Sequence, residues 1–346
     1  MDTEEPNIVQ ADDNLVTIRV SWPRVVIGLV IGLIGLVFII RNVDFGDVVS
    51  AFQDAILGYI LLAVVVILVT IAVKTWRWQL IFTSGEYRPP FRMLFWALVT
   101  GQFFNILVPF RTGEVARVLS LDQQGTVSKS TAVSTLVIEK TLDIAGLVAT
   151  ILIILPFMTI PEEVSQRGNT LAVVVLVALP VLILVALNSH RLSRLSHGVS
   201  QKLPQWIRTR FIQILDAGLE GLAALRSRRL VAVLSLVTIL VVFLSILTPL
   251  VLFKAFSMPF GLREAIIINL LVTLATAPPS TPGRIVVFLA IVRLAMEGFG
   301  INDSSLILSY AIAFLFVVYA PPLILGGLAM TKGGYRFPIV LRKGEK

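Results

Sequence analysis

The chain has 346 residues, 56% of them hydrophobic and 14% charged, with a mean hydropathy of +0.90. Soluble domains carry roughly 45–50% apolar and about 25% charged residues, so this composition excludes a soluble enzyme, a disordered chain and a nucleic-acid-binding module. Lys and Arg number 29 against 21 Asp and Glu, a net +8 that in a membrane protein reports orientation rather than affinity for nucleic acid. There is no Cys, and His190 and His197 are the only histidines, so we expect neither a metal site nor a cofactor.

Residues 1–18 hold Asp2, Glu4, Glu5, Asp12 and Asp13 and read as a disordered acidic tail. A secretory signal wants a basic start, so the first apolar stretch is expected to be a retained helix. A spanning helix needs about 20 apolar residues. Candidate spans are Val25–Ile40, Ile56–Val73, Ala132–Phe157, Leu171–Leu187, Leu230–Phe253 and Leu306–Ala329. Val20 to Trp22 extend the first of them into the interface.

Two further apolar stretches are interrupted. Phe91–Val108 stops at Pro109 and resumes over Gly113–Leu121; Leu262–Ala277 stops at Pro278, Pro279 and Pro282 and resumes over Arg284–Met296. Irregular backbone at membrane depth is tolerated only against protein or a wet cavity. Both stretches therefore read as re-entrant hairpins that leave on the side they entered.

The charges agree with this. Segment 188–230 carries eight Lys and Arg residues from Arg191 to Arg229, against Asp216 and Glu220. The tail with Lys332, Arg336, Arg342 and Lys343 and the stretch with Lys74, Arg77, Arg88 and Arg92 have the same sign. The other connections are balanced or acidic. Six spans and two hairpins put every basic segment and both termini in the cytoplasm of a cell membrane. Within 205–229, Trp206, Phe211, Leu215 and Leu222 lie near one face. That fits a cytoplasmic interfacial helix, or an ordinary connector packed on the spans. Gly28, Gly32 and Gly35 permit close helix approach, within the chain or in a homodimer.

The expected fold is thus an all-α polytopic membrane protein. A single transmembrane domain covers 19–331, and a basic cytoplasmic tail covers 332–346. Its halves resemble each other: Pro90-Phe91 and Pro259-Phe260 lie 169 residues apart, as do Pro109 and Pro278. Repeats over about 56–157 and 230–329 would then have inverted topology, with their breaks meeting near the midplane, as in transporters. Chance similarity between apolar stretches is the competing reading.

Polar residues inside apolar sequence mark the candidate site. Pro109 removes a helix donor and Gly113 can relax the turn. A helix restarting near Thr112 would aim its N–H groups at the break, a ready anion site. Arg111, Glu114 and Arg117 follow at i, i+3 and i+6, and Arg can grip a phosphate bidentately. Glu114 would orient the arginines or meet a cationic headgroup. Glu139 and Asp143 share a helical face, and Lys140 is expected to pair with Asp143. Ionisable residues in a membrane are functional candidates by default. A salt-bridge network of Arg111 or Arg117 with Glu139 or Asp143 is the structural alternative, and both can hold. In the second half, Ser280 and Arg284 flank the break formed by Pro278, Pro282 and Gly283.

These residues resemble the transmembrane, flippase-like family of lysylphosphatidylglycerol synthases. Its pattern of Asn, a Pro-x-Arg-x-Gly-Glu core and a later Arg is matched by Asn105, Pro109, Arg111, Gly113, Glu114 and Arg117. Its Glu-Arg with a following Asp is matched by Glu139, Lys140 and Asp143, where Lys keeps the charge but loses the fork. Pro278, Ser280, Pro282 and Gly283 match its second break. The Gly-rich turn and acid that should follow are absent from Arg284 to Leu289. The resemblance runs from the second span to the last. It implies a protein that moves amphipathic lipids between leaflets, here a stand-alone member without the aminoacyltransferase domain that makes the lipid.

The expected activity is lipid translocation without an enzymatic step. The partners are membrane lipids, an anionic, aminoacylated or glycosylated phospholipid. Candidate lipid contacts are Asn105, Arg111, Glu114, Arg117, Glu139, Lys140, Asp143, Ser280 and Arg284. The alternatives are a membrane-embedded glycosyl or aminoacyl transferase using Glu139 and Asp143 as acid and base, or a non-transporting partner of a lipid-modifying enzyme.

Overall fold

A computed structural model describes residues 18–21, 45–82, 88–107, 112–122, 127–154, 228–276, 284–332 and 339–342. The expected spans at 25–40 and 171–187, the acidic tail and nearly all of 205–229 lie outside the described residues. The helices are α1 (Phe45–Asp54), α2 (Leu57–Ile81), α3 (Phe91–Leu107), α4 (Thr112–Asp122) and α5 (Lys129–Ile154), then α6 (Arg228–Ala255), α7 (Leu262–Thr276), α8 (Arg284–Gly298) and α9 (Ser304–Lys332).

The chain is an all-α polytopic membrane protein. Leu57–Ile81, Arg229–Ala255 and Ser304–Thr331 are each long and apolar enough to cross a bilayer. α5 matches them in length, at 26 residues, but carries Glu139, Lys140 and Asp143. α2 shows how one span is built. Leu57, Leu61, Val65, Leu68 and Val69 are exposed on one side, while Ala63, Val66, Ile71, Arg77 and Trp78 are buried on the other. Leu236, Ile239 and Phe243 of α6 and Phe316 and Ile324 of α9 extend this apolar exterior. The hydroxyls of Thr70, Thr75, Thr238 and Thr248 donate to the carbonyl four residues back, so they can be buried without leaving a donor unpaired.

α2 runs antiparallel to α6. The Ile56 N–H donates to the Ala255 carbonyl at 2.8 Å at one end, and Arg77 Nη1 lies 3.4 Å from Thr238 Oγ1 toward the other. The remaining packing is matched between the halves. α3 lies on α2, α4 and α9; α7 lies on α6, α8 and α5. α4 meets α5 as α8 meets α9. Exchanging α2–α5 with α6–α9 maps each of these pairings onto another.

Small residues let the first hairpin close. A Cβ on Gly113 would fall 1.9 Å from the Gly101 carbonyl oxygen, and one on Gly326 of α9 would fall 2.4 Å from Phe103 Cβ. The glycine at 113 thus serves the approach of α4 to α3.

The two ends of the bundle differ in charge. Asp47, Asp54 and Asp303 line an acidic cavity of about 510 Å³ at one end, with Ser257. At the other, Phe82, Leu121, Val127 and Ala329 pack together, and exposed Arg88, Arg92, Lys129 and Arg229 lie nearby in sequence.

Two readings are corrected here. Residues 45–54, taken as a connection, form α1. Lys74 and Arg77, taken as part of a basic cytoplasmic connection, lie inside α2, which continues past Val73 because Thr75, Trp78 and Ile81 are buried. A short parallel ladder, β1 (Ile18–Ser21) with β2 (Ile339–Arg342), accompanies the helices and leaves the all-α class unchanged. It brings the segment before the first expected span beside the segment after α9.

Candidate functional site

Three helices carry the charges into the middle of the bundle. α2 presents Lys74, Arg77 and Trp78 at i, i+3 and i+4, the spacing of one helical face. α5 presents Glu139, Lys140 and Asp143, and α4 presents Glu114 and Arg117. Arg117 holds Glu139 bidentately, Nη1 to Oε1 at 3.0 Å and Nη2 to Oε2 at 2.7 Å, with both side chains buried. The Arg117 guanidinium lies 4.0 Å from the Trp78 ring centroid, and Trp78 Nε1 donates to Thr135 Oγ1 at 3.0 Å. Buried Arg77 pairs with part-exposed Asp143 at 2.5 Å. Lys140 pairs with Glu114 at 3.4 Å.

The expected Lys140–Asp143 pair is therefore corrected. Local spacing permits it, but α4 and α2 supply partners from across the bundle, and each α5 charge turns to one of them. The expected approach of Arg117 to the acids is found, with Glu139 as its partner. The helix start at Thr112 is also modified. Asn105 Oδ1 accepts the Gly113 N–H at 2.9 Å, so one of the donors expected to face an anion is already engaged.

Lys74 differs from the other bases. Among the described residues it makes no ion pair or hydrogen bond, although α2 points it into this cluster. It lines two cavities. One, of about 300 Å³, lies against the first hairpin, where Lys74 is joined by Gln102, Asn105, Lys140, Tyr319 and Pro322. The other, of about 190 Å³, lies against α7, where it is joined by Arg77, Asp143, Thr238, Asn269 and Thr273. Pro322 has no N–H, so the Val318 carbonyl beside it in the first cavity lacks its helical donor.

Sequence reasoning missed Lys74, Arg77 and Trp78. The available signal was their i, i+3, i+4 spacing in an apolar pattern that continues to Ile81. Arg111, Ser280, Pro109, Pro278, Pro282 and Gly283 lie outside the described residues. Arg284 opens α8, and its side chain lies outside them too. No group of three or more His, Cys, Asp or Glu is placed to hold a metal among the described residues.

No curated protein matches the chain. A family model described as the lysylphosphatidylglycerol synthase TM region matches residues 25–326, and the chain belongs to that family.

Proposed function

We propose that the protein is a lipid translocator, in which a headgroup crosses between leaflets through two cavities that hold charged side chains while the acyl chains stay in lipid. The observation that carries this reading is that Lys74 lines both cavities, one against α3 and one against α7. The antiparallel run of α2 and α6 and the matched packing of the halves support an inverted-topology repeat. In it α3–α4 and α7–α8 are re-entrant hairpins, and discontinuous helices of that kind are where transporters bind substrate. Membership of the family supports a role in lipid modification or translocation.

The basic end, with Arg88, Arg92, Lys129 and Arg229, is the cytoplasmic one in this account. The β1–β2 pairing favours both chain ends on that side of a cell membrane. No catalytic role is assigned to Glu139 or Asp143, because each is held by an arginine. The test is leaflet exchange of a fluorescent phospholipid in liposomes holding the purified chain. Exchange with the lipid recovered unchanged supports translocation. A new lipid product supports a transferase, and neither result leaves the role of a partner to a separate enzyme.

A further inference from the structure

Building on the translocator reading, we propose that Lys74 binds the phosphate of a lipid whose headgroup carries net negative charge, and that the site disfavours a lipid of net positive charge. Each described carboxylate of the cluster already has a basic partner: Glu139 has Arg117, Asp143 has Arg77 and Glu114 has Lys140. Among the described residues of the cluster, Lys74 is the base left over. An ammonium held among spanning helices without a counter-charge is costly, and a bound phosphate supplies that charge. Binding one negative group makes the cluster neutral.

The linings point the same way. Among the described residues, the cavity against the first hairpin holds two ammonium groups, Lys74 and Lys140, with the amides of Gln102 and Asn105 and no carboxylate. Its volume of about 300 Å³ suits a headgroup rather than acyl chains. In the cavity against α7 the one carboxylate, Asp143, is engaged by Arg77. An aminoacyl headgroup bearing lysine would add ammonium groups to a site that already has an excess of them. An unmodified phosphate diester would remove that excess.

The test uses the purified full chain in a non-ionic detergent, with thermal unfolding followed against added ligand. The probes are dioctanoyl phosphatidylglycerol, a dioctanoyl cationic ethylphosphocholine and inorganic phosphate. The anionic lipid is expected to stabilise at a concentration at least about tenfold below the cationic one, the scale of one charge-assisted hydrogen bond. Lys74→Gln should abolish that preference and Lys74→Arg should keep it. Equal stabilisation by the cationic lipid, or a preference that survives in Lys74→Gln, overturns the proposal. Stabilisation by inorganic phosphate equal to that by the anionic lipid overturns the lipid as the source of the anion. If Lys74→Gln does not fold, the ranking in the parent decides, with Lys140→Gln as the second variant, expected to narrow the preference. Leaflet exchange separates the two readings. A chain that ranks the probes as stated but exchanges no lipid refutes translocation and leaves the anion site standing. One that exchanges lipid but prefers no charge does the reverse.

Discussion

Arg117 grips Glu139 with both Nη atoms, at 3.0 and 2.7 Å, while its guanidinium lies 4.0 Å from the centroid of the Trp78 ring. One side chain thereby ties α4 to α5 and to α2. Both groups of the ion pair are buried. Such a pair is expensive to break from one side, because the remaining charge is stranded.

Arg117→Gln or Glu139→Gln should therefore lower stability by about 3–5 kcal/mol. Replacing both partners with Met should recover much of the loss. Unfolding in detergent measures this. Single variants that unfold like the parent would show that the pair does not lock the fold.

The junction of α3 with α4 depends on the absence of two side chains. Gly113→Ala would place a Cβ 1.9 Å from the Gly101 carbonyl oxygen, and Gly101→Ala would place one 2.3 Å from Arg117 Cγ. Both should reduce the yield of folded protein severely, Gly113→Ala the more so because it meets rigid backbone. Gly58→Ala in α2, with nothing within 4 Å, should be neutral or stabilise by up to about 1 kcal/mol. Size-exclusion profiles of the three variants give the comparison.

Asn105 acts as a cap for α4 from the neighbouring helix, accepting the Gly113 N–H at 2.9 Å. Asn105→Ala should cost about 1 kcal/mol, and Asn105→Asp, which keeps the acceptor, should cost less. Equal losses in unfolding experiments would mean that the side-chain amide is needed elsewhere.

The lack of native Cys makes the orientation simple to check. Arg92→Cys should react with an impermeant thiol reagent only after cells are opened. Ser257→Cys, at the acidic end, should react in intact cells. The reverse pattern would invert the topology.

The long spans were legible because a run of apolar residues the thickness of a bilayer permits few other structures. Leu230–Phe253 and Leu306–Ala329 fall inside α6 and α9. Pro109, Pro278 and Pro282, where the breaks were expected, lie outside the described residues. The partners of the buried charges were not legible. Lys140 has Asp143 at helical spacing on its own strand of sequence, yet it meets Glu114, and Asp143 meets Arg77. Those choices depend on how α2, α4 and α5 converge, which local spacing does not contain. Lys74 and Arg77 follow a hydrophobic run and so look like interfacial charges. Only the burial of Trp78 and Ile81 beyond them shows that the helix goes on.

In the proposed function, lipid headgroups pass through the cavities that meet at Lys74. The most direct measurement is leaflet exchange in liposomes by Ile106→Cys and Thr273→Cys, one lining each cavity, before and after attachment of a bulky thiol-reactive group. Each variant should exchange lipid like the parent when unmodified, lose exchange when blocked and regain it when a reductant removes the group. Exchange that continues at the parent's rate with both positions blocked would contradict the account.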